Sequence, residues 1–133
     1  MRLTLVAYED LQAGDLVAVT PGSAGRVQKA KITTNFETAT AIGMAQNTAA
    51  TGNTVVITTD GPSNPNVYGG ALVPGTDYYI GIAAQLVTYD QLKTALQGGG
   101  YEFGYMCHVG VAASTDQIPV DLEPPVYVIP SAL

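Results

Sequence analysis

The chain has one cysteine and one histidine, and they are neighbours: Cys107 and His108. A thiol beside an imidazole could supply a nucleophile and its general base if the two came within hydrogen-bond reach. Their setting, Met106-Cys107-His108-Val109-Gly110-Val111, has the composition of a strand, and consecutive strand residues point to opposite faces. The pair is therefore denied contact within one subunit. Cys107 reads as a small buried hydrophobe and His108 as a surface or edge residue. No CxxC, HxxxH or second soft ligand offers a zinc site. Asp15, Asp60, Asp77 and Asp116 sit at turn signals, where aspartate bonds nearby backbone. Glu9 and Asp10 would diverge in a strand and stay free in a loop. Gly98-Gly99-Gly100 lacks a following Lys-Ser/Thr and closes a helix instead of opening one, so it is no phosphate cradle. The expectation is a protein that is not an enzyme and holds no metal or cofactor.

The eight tyrosines are more informative. Tyrosine is rigid and amphipathic, suited to interfaces as well as cores. Tyr78 and Tyr79 must present one ring to each face of a regular strand, so both are interface candidates. Tyr101, Phe103 and Tyr105 alternate onto a single face, and that stripe is expected in the core. The tail segment Val126-Tyr127-Val128-Ile129 follows two prolines and has strong strand character. It reads either as a last edge strand or as an arm adding to a neighbouring subunit's sheet, where main-chain hydrogen bonds supply affinity. Leu3 and Leu5 belong to a segment, residues 2–8, that reads as a first strand or as an arm that docks elsewhere. All of these residues except the stripe form the candidate interface.

The elements that position them are strands. Fifteen glycines and eight prolines punctuate many turns, which favours short strands. A turn-strand unit, Leu11-Gln12-Ala13-Gly14-Asp15-Leu16-Val17-Ala18-Val19, recurs as Leu72-Val73-Pro74-Gly75-Thr76-Asp77-Tyr78-Tyr79-Ile80. Downstream, Ala41-Ile42-Gly43-Met44-Ala45 is echoed by His108-Val109-Gly110-Val111-Ala112, with glycine third in both. Asn53 to Ile57 is matched by Asp116 to Val120. Such an echo predicts an all-β fold: a compact β-barrel or β-sandwich built from two similar halves. Residues 1–133 form a single domain, with 1–10 and 123–133 as candidate terminal arms. One helix is expected around residues 89–97. Thr88 and Gln91 fit a capping box, Tyr89, Leu92 and Leu96 share a face, and glycine follows.

Composition excludes several classes of function. Net charge is −6, with Arg2, Arg26, Lys29, Lys31 and Lys93 the basic residues, so a phosphate backbone would repel the chain. Nucleic acid is not an expected partner. The apolar runs fall far short of the roughly 20 residues of a membrane span, and the amino-terminal run is too short for a signal peptide. One cysteine makes no internal disulfide. A soluble protein made in a reducing compartment is expected.

The pattern Leu11-x-Ala13-Gly14-Asp15-Leu16-Val17-Ala18-Val19, Gly25-Arg26-Val27-x-Lys29-Ala30, Ala41-Ile42-Gly43-Met44-Ala45 and Gly52-x-Thr54-Val55-x-Ile57 resembles small tailed-phage virion proteins. Gly70-Ala71-Leu72-Val73-Pro74-Gly75-Thr76-x-Tyr78-Tyr79, Leu86-Val87-Thr88 and Val109-Gly110-Val111-Ala112 extend the likeness. Capsid decoration (cement) proteins and head-proximal fibre modules carry such stretches. The resemblance implies a structural protein on the outer capsid surface, made in the host cytoplasm. Its partners would be the major capsid protein and its own copies, most often as trimers. The alternative it implies is a head or tail fibre module that binds a host receptor or glycan. A small β-barrel enzyme is a distant third.

Overall fold

The computed structural model describes residues 1–68 and 70–133. The chain is all-β apart from two helices and a closing 3-10 turn. The first half comprises β1 (Arg2–Ala7), β2 (Leu16–Val19), β3 (Arg26–Lys29), the single-turn helix α1 (Phe36–Ala39), β4 (Ala41–Ala45) and β5 (Thr54–Thr58). These strands close into a barrel in the order β1-β3-β2-β4-β5, with β1 parallel to β3 and every other pair antiparallel. The second half contains β6 (Gly61–Ser63), β7 (Asp77–Ile80), β8 (Leu86–Val87), α2 (Tyr89–Gly98), β9 (Gly104–Met106), β10 (His108–Val111), β11 (Ile118–Val120) and β12 (Val126–Val128). Its strands form three small sheets, β10-β7-β8, β11-β6 and β12-β9.

The halves are built alike. Gly14 and Gly75 both take positive φ, +92° and +82°, at the turn before the leading strand. Gly14 N–H donates to Ala45 O at 2.7 Å and Gly75 N–H to Ala112 O at 2.8 Å. The return bonds also match, Ala45 N–H to Asp15 O and Ala112 N–H to Thr76 O. In each half the leading strand pairs antiparallel with the next strand and with the Gly-containing strand, the latter through a register shift. Even the parallel β1-β3 contact has a counterpart, a single parallel bridge between Val67 and Leu86. Gly43 and Gly110 share a role as well. A Cβ on either would run into a backbone carbonyl of the next strand, Thr58 O or Pro119 O.

Two cores result. Val17, Val27, Val55 and Ile57 fill the closed barrel. Leu16 and Ala18, on the opposite face of β2, join Met44, Ile80, Leu86, Leu92 and Leu96 in a larger core shared by both halves. With both faces covered, β2 reads as a continuous apolar run. The seam is also stitched by polar bonds: Leu16 N–H to Ala84 O, Asn66 N–H to Gly14 O, and Asn66 Nδ2 to Asp15 Oδ1.

The expected helix is present as ten residues, with the Thr88–Gln91 capping box formed in both directions and Leu92 and Leu96 buried. Two short elements escape a pattern reading. Helix α1 is a single turn, started by Asn35, whose side chain accepts from Thr38 N–H. Strand β6 is three residues long and pairs through prolines, its Pro62 opposite Pro119 of β11. Among the terminal segments, residues 2–7 are a barrel strand bonded on both sides. Leu3 and Leu5 there are half-buried. The tail pairs with β9 of its own chain, and its end is held by Gln97 Nε2 donating to Pro130 O and Leu133 O.

Candidate functional site

Two surface regions gather the aromatic and titratable side chains singled out in the sequence. The first is an aromatic face. Strands β9 and β12 pair antiparallel with Tyr105 opposite Tyr127, so both rings project from one side. Phe103 stacks on Tyr127 at 5.8 Å between centroids and an interplanar angle of 13°. Tyr105 meets Tyr127 and Phe103 edge-on, and Phe36 of α1 closes the group against Tyr105 at 6.0 Å. Offset and edge-to-face contacts of this kind stabilise aromatic groups beyond the area they bury. The cluster is nevertheless open: Tyr127 is 56% exposed and Phe36 51%. Ile129 beyond it is exposed as well, whereas Val126 and Val128 take the other face of β12, Val126 beside His108 and Val128 against the core.

This geometry corrects the reading of the Tyr101 stripe. Strand β9 starts at Gly104, so Tyr101 leaves the alternation and its ring lies beside Gly99 at the end of α2. Phe103 and Tyr105 do share a face, but it is a half-buried surface face and not the core. Phe36 joined them unseen, since a one-turn helix leaves no periodic signal.

Tyr78 is also corrected. Offered as an interface residue, it is 2% exposed. Strand β7 turns Tyr78 and Ile80 into the shared core, and the Tyr78 hydroxyl accepts from Val73 N–H at 2.8 Å across the turn. Tyr79 takes the other face and is half-buried against His108 (5.3 Å) and Tyr89 (6.3 Å). Burial pushes its phenol pKa up, helped by the Asp77 and Glu123 charges.

The second region surrounds His108. Its Nε2 lies 2.9 Å from Asp77 Oδ1, and its Nδ1 lies 3.7 Å from Glu123 Oε1, buried and without a hydrogen-bond partner. Asp77 and Tyr79 share the outer face of β7, and His108 is Tyr79's cross-strand partner, which brings the three together. Asp77 is thus no turn aspartate bonding nearby backbone. That was legible only with the strand pairing in hand. Asp15 and Asp116 do staple their own turns, through Gln12 N–H and the Ser114 hydroxyl. Asp60 meets the amino terminus. Glu9 and Asp10 are not free: Lys29 N–H donates to Glu9, and Thr51 donates to Asp10 through both N–H and hydroxyl.

An imidazole between two carboxylates can shuttle a proton, but the adjacent thiol does not join it. Cys107 is buried, its Sγ–H donates to Glu123 O at 3.1 Å, and desolvation pushes its pKa up to about 11. The thiol points into the core and stays protonated at neutral pH, on the face opposite His108. The cluster instead anchors the tail, since Glu123 N–H donates to His108 O. Among the described residues, no three His, Cys, Asp or Glu side chains are placed to share a metal ion. No helix among them is long and apolar enough to cross a membrane.

No protein-family model matches the chain, and no curated protein does. Among solved structures the fold is similar to "The crystal structure of head fiber gp8.5 N base in bacteriophage phi29". The TM-score is 0.53 at 12% sequence identity, over 94% of this chain and 95% of that one. At that identity the likeness is one of fold.

Proposed function

We propose that the chain is a structural virion protein of a tailed phage, seated on the outer surface of the head. Its role there is to stabilise contacts between capsomers as a decoration protein. The observation that carries this reading is the exposed aromatic face of β9, β12 and α1. An open apolar cluster on a chain of net charge −6 is an interaction surface in search of a partner. Beside it, among the described residues β12 bonds to β9 on one side only, which leaves a strand edge to accept another strand. The end-to-end fold likeness to a phage head-fibre base supports a place on the head. The partners proposed are the major capsid protein and further copies of the chain, as a trimer. No catalytic step is proposed, because a binder specific for the assembled shell stabilises it by mass action alone.

The fold likeness to a head-fibre base favours a second reading, the base of a head fibre that carries a receptor-binding part outward. One experiment separates the two. Purified protein is sedimented with capsid shells of the encoding phage while shell melting is followed. Saturable, stoichiometric binding with a raised shell melting temperature is expected. Binding without a gain in shell stability would favour the fibre base. No binding at all would sink both readings.

A further inference from the structure

We propose that the hollow between α2 and the β7-β8 hairpin binds an N-acetylated amino sugar. The duplicated fold forms a hollow at this place twice, where a hairpin loop faces the helix that follows. In the first half, Thr20, Gly22, Phe36 and Thr40 line it. There α1 is a single turn, and the hollow, about 640 Å³, is the larger and more open of the two. In the second half, ten-residue α2 walls the hollow, which measures about 420 Å³. That size suits a small ligand of one or two rings.

The chemistry of the lining selects the ligand. Tyr68 lies at the hollow and is 60% exposed, placed there by its N–H bond to Leu86 O. A pyranose has an apolar C–H face that packs on such a ring. Gln85, Asp90 and Thr94 also line the hollow. Among the described residues their side chains make no hydrogen bond to the rest of the chain, which leaves an amide, a carboxylate and a hydroxyl free for sugar hydroxyls. Ile82, Val87 and Ala95 offer an apolar surface that suits an acetamido methyl group. Asp90 and the overall charge of −6 act against a ligand carrying carboxylate or phosphate. The loop that shapes the hollow is strained. Ala84 holds φ at +61°, the left-handed region that a residue with a Cβ resists, and is fixed there by Leu16 N–H on its carbonyl. Strain maintained from the neighbouring half keeps the loop in one conformation before any ligand arrives.

This inference does not depend on the virion reading, since the hollow shares no residue with the aromatic face. The test is saturation-transfer NMR of the whole chain with N-acetylglucosamine, glucose and glucosamine, each at millimolar concentration. The strongest transfer is expected at the acetyl methyl, with glucose bound at least about tenfold more weakly. Tyr68→Ala is expected to weaken binding about tenfold or more, and Asp90→Asn several-fold. Both positions are exposed, so the fold should survive; Thr94→Val is a third variant with the same expectation. Equal transfer to glucose, tighter binding of glucosamine, or unchanged binding in Tyr68→Ala would each overturn the proposal, as would no transfer to any of the three sugars. Shell binding by Tyr68→Ala should match the parent protein.

Discussion

The two halves follow one plan with different outcomes. In the first, five strands run far enough to meet, and the barrel closes around its own core of valine, isoleucine, leucine and alanine. In the second, the same order is present but the ring stays broken. Strand β8 has only two residues, and Pro119 of β11 has no N–H to give to a ladder. Contact between β10 and the chain after β11 continues only through isolated bonds, such as Asp121 N–H to Val109 O. The opened half is also where additions sit: the long α2, and the β9-β12 pair with its aromatic face. Closure supplies rigidity, and the broken copy supplies surface.

The sharpest way to break that comparison is at the paired glycines. Gly43→Ala sets a Cβ against the Thr58 carbonyl inside a closed ring with nowhere to shift, and should cost about 3 kcal/mol or more. Gly110→Ala meets the Pro119 carbonyl in the open half, where β11 can move, and should cost clearly less. Urea unfolding of both variants decides it, and equal costs would mean that closure does not confer the rigidity assigned to it. The turn glycines give a second contrast. Gly75→Ala adds only left-handed strain, about 1 to 2 kcal/mol, because nothing lies near the new Cβ. Gly14→Ala adds the same strain and also strikes the backbone of Pro65 and Asn66 at the seam, so it should cost distinctly more.

These glycines also show what was legible in the sequence. Gly14 with Gly75, and Gly43 with Gly110, sat at matching places in two similar strings, so the duplication could be read before any pairing was known. The helix around 89–97 was legible because its cap, its Leu92 and Leu96 stripe and its glycine stop agree; in the structure it runs one residue further, to Gly98. The aromatic face was not. It joins Phe36, Tyr105 and Tyr127 from three distant segments, and only the β9-β12 register and a one-turn helix bring them together. Tyr78 and Tyr79 show the limit in miniature: alternation says that they part, but not which one turns inward.

Smaller effects sharpen the contrast further. The open half must still keep Cys107 dry, so native protein at pH 8 should react with iodoacetamide at least about a hundredfold more slowly than urea-unfolded chain. A rate near the unfolded one would mean that the shared core opens readily on that side. Finally, Asp10 clasps Thr51 in the closed half, where a hydrogen bond from the Thr51 backbone N–H, then one from its hydroxyl, hold the carboxyl below its ordinary 3.8. With the folded value depressed, the clasp's stability is complete above the ordinary value and is lost as pH falls below it through the folded one. Thermal melts from pH 6 to pH 2.5 should show a slightly shallower acid loss in Asp10→Asn. Identical slopes would remove Asp10 from the acid response.

The central claim is that the aromatic face seats the protein on a shell, and Tyr127→Ala tests it most directly. Tyr127 is a surface residue on an edge strand, so the variant should melt within a few degrees of the parent. In sedimentation with shells its occupancy should fall about tenfold or more, as expected for the loss of an aromatic anchor at the centre of an interface. Full occupancy by a folded Tyr127→Ala protein would contradict the account and move the docking surface elsewhere on the molecule.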